Sequence, residues 1–514
     1  MTWGSGFVNS LDLPSKTTEY ALRFIGHSND YFLGAGATVR SGGLINIGTA
    51  EVTIDNARIT PQRWSVNFGG FSIAINGDLR PIDVSAFRKG AIAELYMRRD
   101  GVSPERVAIG QLRAVSGVRG VWRLEFGDFI SAMTSRLSTK KDELNFYYNA
   151  GKSTTVSTNF NFSSSANLEL ADITIFEKDT NFDGMILVTN ASGRSEYYKW
   201  RSKTTTSAPA GHLTISSTGS WPSTSTTMTT LQAGDKVVAL TRLQGKPHNV
   251  FARTLMSTGN TVKQGSFDDY PQSWGVGINF NPNLINSQDM GLWYDAYKTA
   301  SGSFEVQFVI DAPQPSGIRY LLDQFLSMGM WPVFRQGRIS WRVCQDPENA
   351  LGVTISSHIK DEDIIAIESH SIYSPSQSVV YAKSSIVTSS SGGTELTTSV
   401  DVSNVKALPA NDEITRDHKL IYRIDSPAQS GKATVDLGRL APWDQYTYEE
   451  LTLAVHERYA GLVAGDIIAI TSSYIYGFKY AAGKAYRGRR GMILGVRWLP
   501  SQSRCILSIG ILSK

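Results

Sequence analysis

A chain of 514 residues exceeds what one hydrophobic core serves economically, so its length implies about three or four domains. Hydrophobic residues at 41% and charged residues at 19%, with many Gly, Ser and Thr, describe a globular chain suited to β structure and broad subunit contacts. A net charge of +4 excludes nucleic-acid binding by bulk electrostatics and leaves only a local patch for it.

Cys344 and Cys505 are the sole cysteines, which excludes a disulfide framework and a Cys-x-x-Cys metal site; both read as buried thiols. Met1-Thr2-Trp3-Gly4-Ser5-Gly6 lacks the charged and apolar segments of a signal peptide. No window approaches the roughly 18 apolar residues of a membrane-crossing helix. The expectation is a protein made in the cytoplasm and kept or assembled there.

From Tyr20 to about Phe146 the pattern is strand after strand. Tyr20, Leu22 and Phe24 alternate, as do Val52 and Ile54. Trp64, Val66 and Phe68 run into Gly69-Gly70, and Phe71, Ile73 and Ile75 run out, which predicts a hairpin with a two-residue turn. Strands over 91–98, 107–115 and 121–126 follow, and this spacing suits a barrel or sandwich. Gly34-Ala35-Gly36 lacks the third glycine and the following helix of a dinucleotide loop.

Between Gly151 and Leu243 the composition shifts to Ser and Thr. Gly151-Lys152-Ser153-Thr154 resembles the end of a phosphate loop, but Phe146 occupies the first-glycine position, so it reads as a domain boundary. Strands are expected at 173–176 and 185–188, flanking Asp179-Thr180-Asn181-Phe182-Asp183-Gly184. Asp179, Asn181 and Asp183 match the first half of a calcium loop, but Asn190 replaces the bidentate Glu, and an Asp-Gly turn is the simpler reading. The stretch 202–230 is low in complexity, yet Trp221 and the recovery at 233–240 favour strands joined by long loops.

Val250, Phe251, Thr254 and Leu255 predict a short helix before Gly259. A run containing Tyr270-Pro271 and Trp274-Gly275 leads through an extended connection to a strand at Phe304, Val306, Phe308 and Ile310. Ser316 can cap a helix carrying Ile318, Leu321, Leu322, Phe325 and Leu326, ended by Gly329. A hairpin follows, 331–334 and 339–343, turning at Gln336-Gly337. This order of helix, Tyr-Pro and Trp-Gly segment, strand, helix and hairpin resembles the middle of the tail hub proteins of long-tailed bacteriophages. The resemblance spans about a fifth of the chain. It implies a structural virion protein of the tail tip or baseplate, with a β-barrel as its first domain.

Further on, strands are expected at 364–367, 379–382 and 418–424, with a solvated acidic turn at Asp361-Glu362-Asp363 and a flexible Ser389-Ser390-Ser391-Gly392-Gly393. Thr447 and Glu450 form a capping box, which with Tyr448, Leu451, Val455 and Tyr459 predicts a helix. Ala464-Gly465-Asp466 then leads into a strand at 467–470, and its Gly-Asp pair echoes Gly234-Asp235. This part resembles the C-terminal region of the same hubs. Two apolar strands, 492–499 and 504–512, close the chain as a hairpin buried on both faces or by a neighbouring subunit.

No catalytic frame emerges. His456-Glu457 begins like a zinc-peptidase helix, but Ala460 stands where the second ligand belongs, and no Gly-x-Ser-x-Gly elbow is present. A glycan hydrolase needs only two carboxylates, and nothing singles out a pair among 46 acidic residues. Lys479, Lys484, Arg487, Arg489 and Arg490, with Tyr480 and Tyr486 interleaved, form the local basic concentration. They read first as a solvated or protein-contacting hairpin loop and second as a nucleic-acid contact.

The fold expected is mainly β with α+β parts. A β-barrel-like domain covers 1–150, a Ser/Thr-rich β domain 151–245, an α/β connecting domain 246–345, and a second β-barrel-like domain with one helix 346–514. No cofactor is implied. The resemblance implies a non-enzymatic hub of the virion tail, assembled in the host cytoplasm as a ring, a homotrimer whose two related barrels per subunit let three copies mimic six. Its implied partners are the tail tube or distal tail protein, the central spike or tip protein, and the tape-measure protein, with DNA contact possible at the basic loop. The alternatives are a receptor- or glycan-binding tail adhesin and a tail-associated cell-wall hydrolase.

Overall fold

The computed structural model describes residues 3–13, 18–25, 29–33, 43–46, 50–61, 65–76, 90–99, 102–118, 121–128, 152–161, 165–176, 184–215, 228, 230–256, 284–301, 306–310, 322, 325–326, 329–335, 337–348, 355–373, 378–389, 392–401, 413–418, 442–443, 446–477 and 485–513. The protein is mostly β. Among the described residues, strands from both ends of the chain share one fourteen-stranded sheet.

Two arrays within that sheet follow one plan. In the C-terminal array a bent segment, Ser357–Lys360 and Ile364–Tyr373, is followed by four long strands: Thr447–His456, Ile467–Tyr476, Ala485–Leu499 and Arg504–Ser513. Their spatial order is bent segment, first, fourth, third, second. The first half of the bent segment pairs in parallel with the second strand, and its other half pairs antiparallel with the first. Both margins of the array are therefore held by one continuous piece of chain. In the N-terminal array Gly43–Asn46 and Ala50–Asp55 are the bent segment, and Gly70–Asn76, Ile92–Arg99, Glu105–Val118 and Val121–Asp128 are the four strands, in the same order. Here Thr18–Phe24 and Asn29–Leu33 are interposed between the second strand and the parallel half of the bent segment.

The correspondence extends to irregularities. The register between second and third strands shifts after Leu95 and after Ile470. Between third and fourth strands one extra residue is inserted after Leu112 and after Ile493. Such bulges bend and twist a strand locally, so the arrays are bent at equivalent points. Each second strand is entered through a glycine at positive φ, Gly90 at 93° and Gly465 at 101°. Gly90 N–H donates to Leu112 O at 3.0 Å and Gly465 N–H to Ile493 O at 2.8 Å. The echo between Ala464-Gly465-Asp466 and Ala233-Gly234-Asp235 is local turn chemistry: in each, the Asp carboxylate accepts the backbone N–H three residues back, from Val463 or Gln232.

The hairpin expected at Gly69-Gly70 is corrected. Ser65–Asn67 pairs with Arg58–Thr60, and Gly70–Asn76 with Ala50–Asp55, in one unbroken register. Gly69 lies at a corner midway along a long hairpin. A Cβ there would stand 1.9 Å from Asp55 O, so the glycine is needed for close backbone approach and not for a turn.

The helix expected from Thr447 is the strand Thr447–His456. Leu451, Leu453 and Val455 fit period two as well as their neighbours fit a helical stripe, and strands on both edges decide the matter. Residues 173–176 form a turn, not a strand; Phe176 N–H donates to Ile173 O, and Ile173, Ile175 and Phe176 are buried. Gly184–Thr189 is a strand as expected. Asp361–Asp363 is a short 3-10 helix in which Glu362 is exposed as expected of a solvated turn, but Asp363 is buried and accepts from Lys360 N–H and Tyr459 Oη. Of the stretch expected to be flexible, Ser389, Gly392 and Gly393 are paired strand residues, Ser389 with Gly392 and Thr388 with Gly393, and Ser390 and Ser391 lie outside the described residues.

The central unit contains the expected helix, Pro247–Met256, helical residues at 322 and 325–326, Gly329 at positive φ, and the hairpin Met330–Arg335 with Arg338–Val343. Val306–Ile310 is a strand, paired with Lys236–Gly245. The expected extended connection is instead occupied in part by a helix, Ser287–Ser301, with Asn286 Oδ1 capping Asp289 N–H. Tyr270-Pro271, Trp274-Gly275 and Ser316 lie outside the described residues, as does the strand expected at 418–424 except for His418, which ends the strand Glu413–His418.

Three cores result. Val156, Leu168, Ile186, Trp200 and Ala239 belong to one made only from the Ser/Thr-rich region. A second unites both arrays, and a third joins the central unit to them. Cys344 and Cys505 are buried and unbridged.

Candidate functional site

The two arrays meet at a seam. The third strand of the C-terminal array runs past its second-strand partner, and Arg497 and Trp498 pair antiparallel with Asp55 and Ile54 of the N-terminal bent segment. Asn56 N–H donates to Val496 O at 2.9 Å. Arg497 Nε lies 2.6 Å from Asp55 Oδ1, and Arg58 reaches Glu450 at 2.7 Å. An open groove of about 690 Å³ runs along the seam, lined by the Arg497–Asp55 pair and by Arg58, Arg113 and Glu125. The pairs are partly exposed, so they fix register more than they stabilise.

A second tie is buried. Arg99, at the end of the N-terminal array's second strand, forms a bidentate pair with Glu457, just beyond the C-terminal array's first strand. Arg99 also donates to Pro500 O, and Trp498 Nε1 donates to Glu457. Burial, reinforced by the Glu457 carboxylate, pushes the Cys505 thiol well up, which keeps it protonated and inert. Glu457 thus serves packing between the arrays.

The central unit is anchored to both. Arg342 Nε donates to Asp466 at 2.9 Å, its Nη1 reaches Asp289 at 2.9 Å, and its guanidinium lies 4.4 Å from the Trp293 ring centroid. Trp331 Nε1 donates to Ala464 O, and Arg106 Nε to Gly337 O. Burial alone would raise Asp289, but Arg342, the Ser340 hydroxyl and Arg335 outweigh it and hold the carboxyl below its ordinary range. Asp361 is likewise lowered, by hydrogen bonds from Ser472 and Ser473.

Of the residues singled out in the sequence, Asp179, Asn181, Asp183, Lys479, Tyr480 and Lys484 lie outside the described residues. Arg487, Arg489 and Arg490 stand on the Ala485–Leu499 strand and not in a loop. Arg489 is engaged by Glu348 at 3.1 Å and by Leu512 O; Tyr486 is buried and donates to Glu449 at 2.6 Å. Arg487 is exposed. The expected basic patch is therefore partly consumed by internal pairing. Among the described residues no group of three metal-ligating side chains occurs, and no helix is long and apolar enough to cross a membrane.

Sequence reasoning missed two open edges. Residues 113–117 of the N-terminal third strand extend past its second-strand partner and are exposed, Val115 at 39%. The strand Ile364–Tyr373 ends the sheet and exposes Ile365, Ile367 and Ile372, at 45–48%. No other described strand pairs with either edge. The signal in sequence was the run Ile364-Ile365-Ala366-Ile367, whose apolar residues do not alternate.

No family model matches the sequence, and no curated protein does. Solved structures do. The tail protein from Neisseria meningitidis MC58 is 9% identical, with a TM-score of 0.33 over 97% of this chain and 97% of that one. The 43 kDa tail protein of prophage MuSo2 from Shewanella oneidensis is 9% identical, with a TM-score of 0.35 over 96% and 98%. A chain of the Francisella PdpA-VgrG complex is 9% identical, with a TM-score of 0.31 over 98% of this chain and 58% of that one. What the chain is similar to, at this level of likeness, includes tail proteins.

Proposed function

We propose that the protein is a structural hub of a bacteriophage tail tip or baseplate, non-enzymatic, assembling as a ring between the tail tube and the central spike or tip. The observation that carries this reading is the duplicated array: one strand order, the same entry glycine and the same bulges at both ends of one chain. Two like units per subunit let a ring of three copies present six similar faces, which reconciles a six-fold tube with a three-fold tip. The resemblance of the central stretch to tail hubs points the same way. Tube or distal tail protein, spike and tape-measure protein are its proposed partners, and Arg487 and Arg490 are the exposed or half-buried cations left for a DNA or acidic-protein contact.

Mass measurement by light scattering, with averaged electron images of the particle, tests the reading. A ring of three copies is expected. A monomer at high concentration, with no ring even in the presence of tube protein, overturns it.

A further inference from the structure

The seam inside the chain specifies a contact between chains. Matching the arrays through their shared bulges makes Ile493 equivalent to Leu112, and so Val496, Arg497 and Trp498 to Val115, Ser116 and Gly117. On the other side of the seam, Phe126 and Ile509 are equivalent; they pair with Phe71 and Leu451, which pair with Ile54 and His370. Asp55 and Asn56 therefore correspond to Ser371 and Ile372.

The intrachain seam uses the C-terminal third strand and the N-terminal bent segment. The two equivalents left over, the N-terminal third strand and the C-terminal bent segment, are the two open edges. They lie on different arrays, so one chain's pair is satisfied by a second copy placed as the arrays are placed within the chain. Resting on the ring reading above, we propose that the subunit interface is a head-to-tail copy of the internal seam. Residues 113–117 of one copy pair antiparallel with Ser371 and its neighbours in the next, placing Ser116 opposite Ser371 and Gly117 opposite His370. Val115 O accepts from Ile372 N–H, as Val496 O accepts from Asn56 N–H. Val115 and Ile372, exposed in the isolated chain, become buried together. The contact is heterologous, so it propagates until rotation closes it.

Opposed residues in an antiparallel pair have Cα atoms about 4.5–5.5 Å apart, within reach of a disulfide. The test is the full chain carrying Ser116→Cys, Ser371→Cys or both, oxidised and run without reductant, beside light scattering of the reduced proteins. Both positions are exposed and the native cysteines are buried. The double variant is expected to shift from the monomer band to a ladder ending at the ring size. Mixed single variants are expected to give dimers, and each single variant alone none. A ring by light scattering without cross-linking in the double variant overturns this interface and leaves the hub reading standing. Cross-linked dimers from one single variant alone show like edges meeting and overturn the head-to-tail arrangement. A monomer throughout overturns both.

Discussion

Arg342 concentrates the chemistry that holds the central unit in place. Its guanidinium is buried between Asp466, on the turn into the C-terminal array, and Asp289, on the Ser287–Ser301 helix. The depressed Asp289 carboxyl contributes stability that is complete above its unfolded-state value near pH 4 and is lost as pH falls through the lower folded value. Replacing Asp289 by Asn is expected to cost about 1.5–3 kcal/mol at neutral pH, the worth of hydrogen bonds to a charged group. The gap to the parent chain should narrow steadily on acidification below about pH 4, measured by urea unfolding at a series of pH values. A gap that stays constant to low pH would remove Asp289 from this role. Nothing in the sequence marked Asp289 or Asp466 as a pair, because 177 residues separate them and only packing brings both to Arg342.

At the level of elements, the sequence was legible where one pattern had one physical meaning. Tyr20, Leu22 and Phe24 alternate and are buried in a strand; Val250, Phe251 and Leu255 share a helix and its core. It misled where a pattern had two meanings. Gly69-Gly70 satisfies a turn and also a corner where two backbones touch, and the register shared by Asp55 with Gly70 and Arg58 with Asn67 selects the corner. Gly69→Ala is therefore expected to destabilise by about 1–3 kcal/mol or more, as overpacking does, read by thermal unfolding. A two-residue turn would tolerate that substitution far better. Thr447 with Glu450 similarly offers a cap that the flanking strands never let form.

On the scale of the whole molecule, the arrays behave as one body because they share a sheet, a core and the Arg99–Glu457 pair. Glu457→Ala leaves a guanidinium buried without its partner, which costs about 3–5 kcal/mol. Amide exchange should accelerate together in Val121–Asp128 and Arg504–Ser513, while Gly184–Thr189, in the separate Ser/Thr-rich core, keeps its protection. Loss confined to one array would mean that the arrays open independently. The sequence by itself determined the β-rich class, the strands with clean alternation, the central helix and hairpin, and the absence of a familiar catalytic motif, since composition and short-range periodicity are local properties. The duplication was implied there only by the resemblance and by no pattern of residues, because equivalent positions such as Arg497 and Ser116, or Asp55 and Ser371, share no side-chain chemistry. Only the tertiary structure decided that. Strand order, bulge position and backbone pairing are set by which segments meet across the fold, and they persist when residue identities do not.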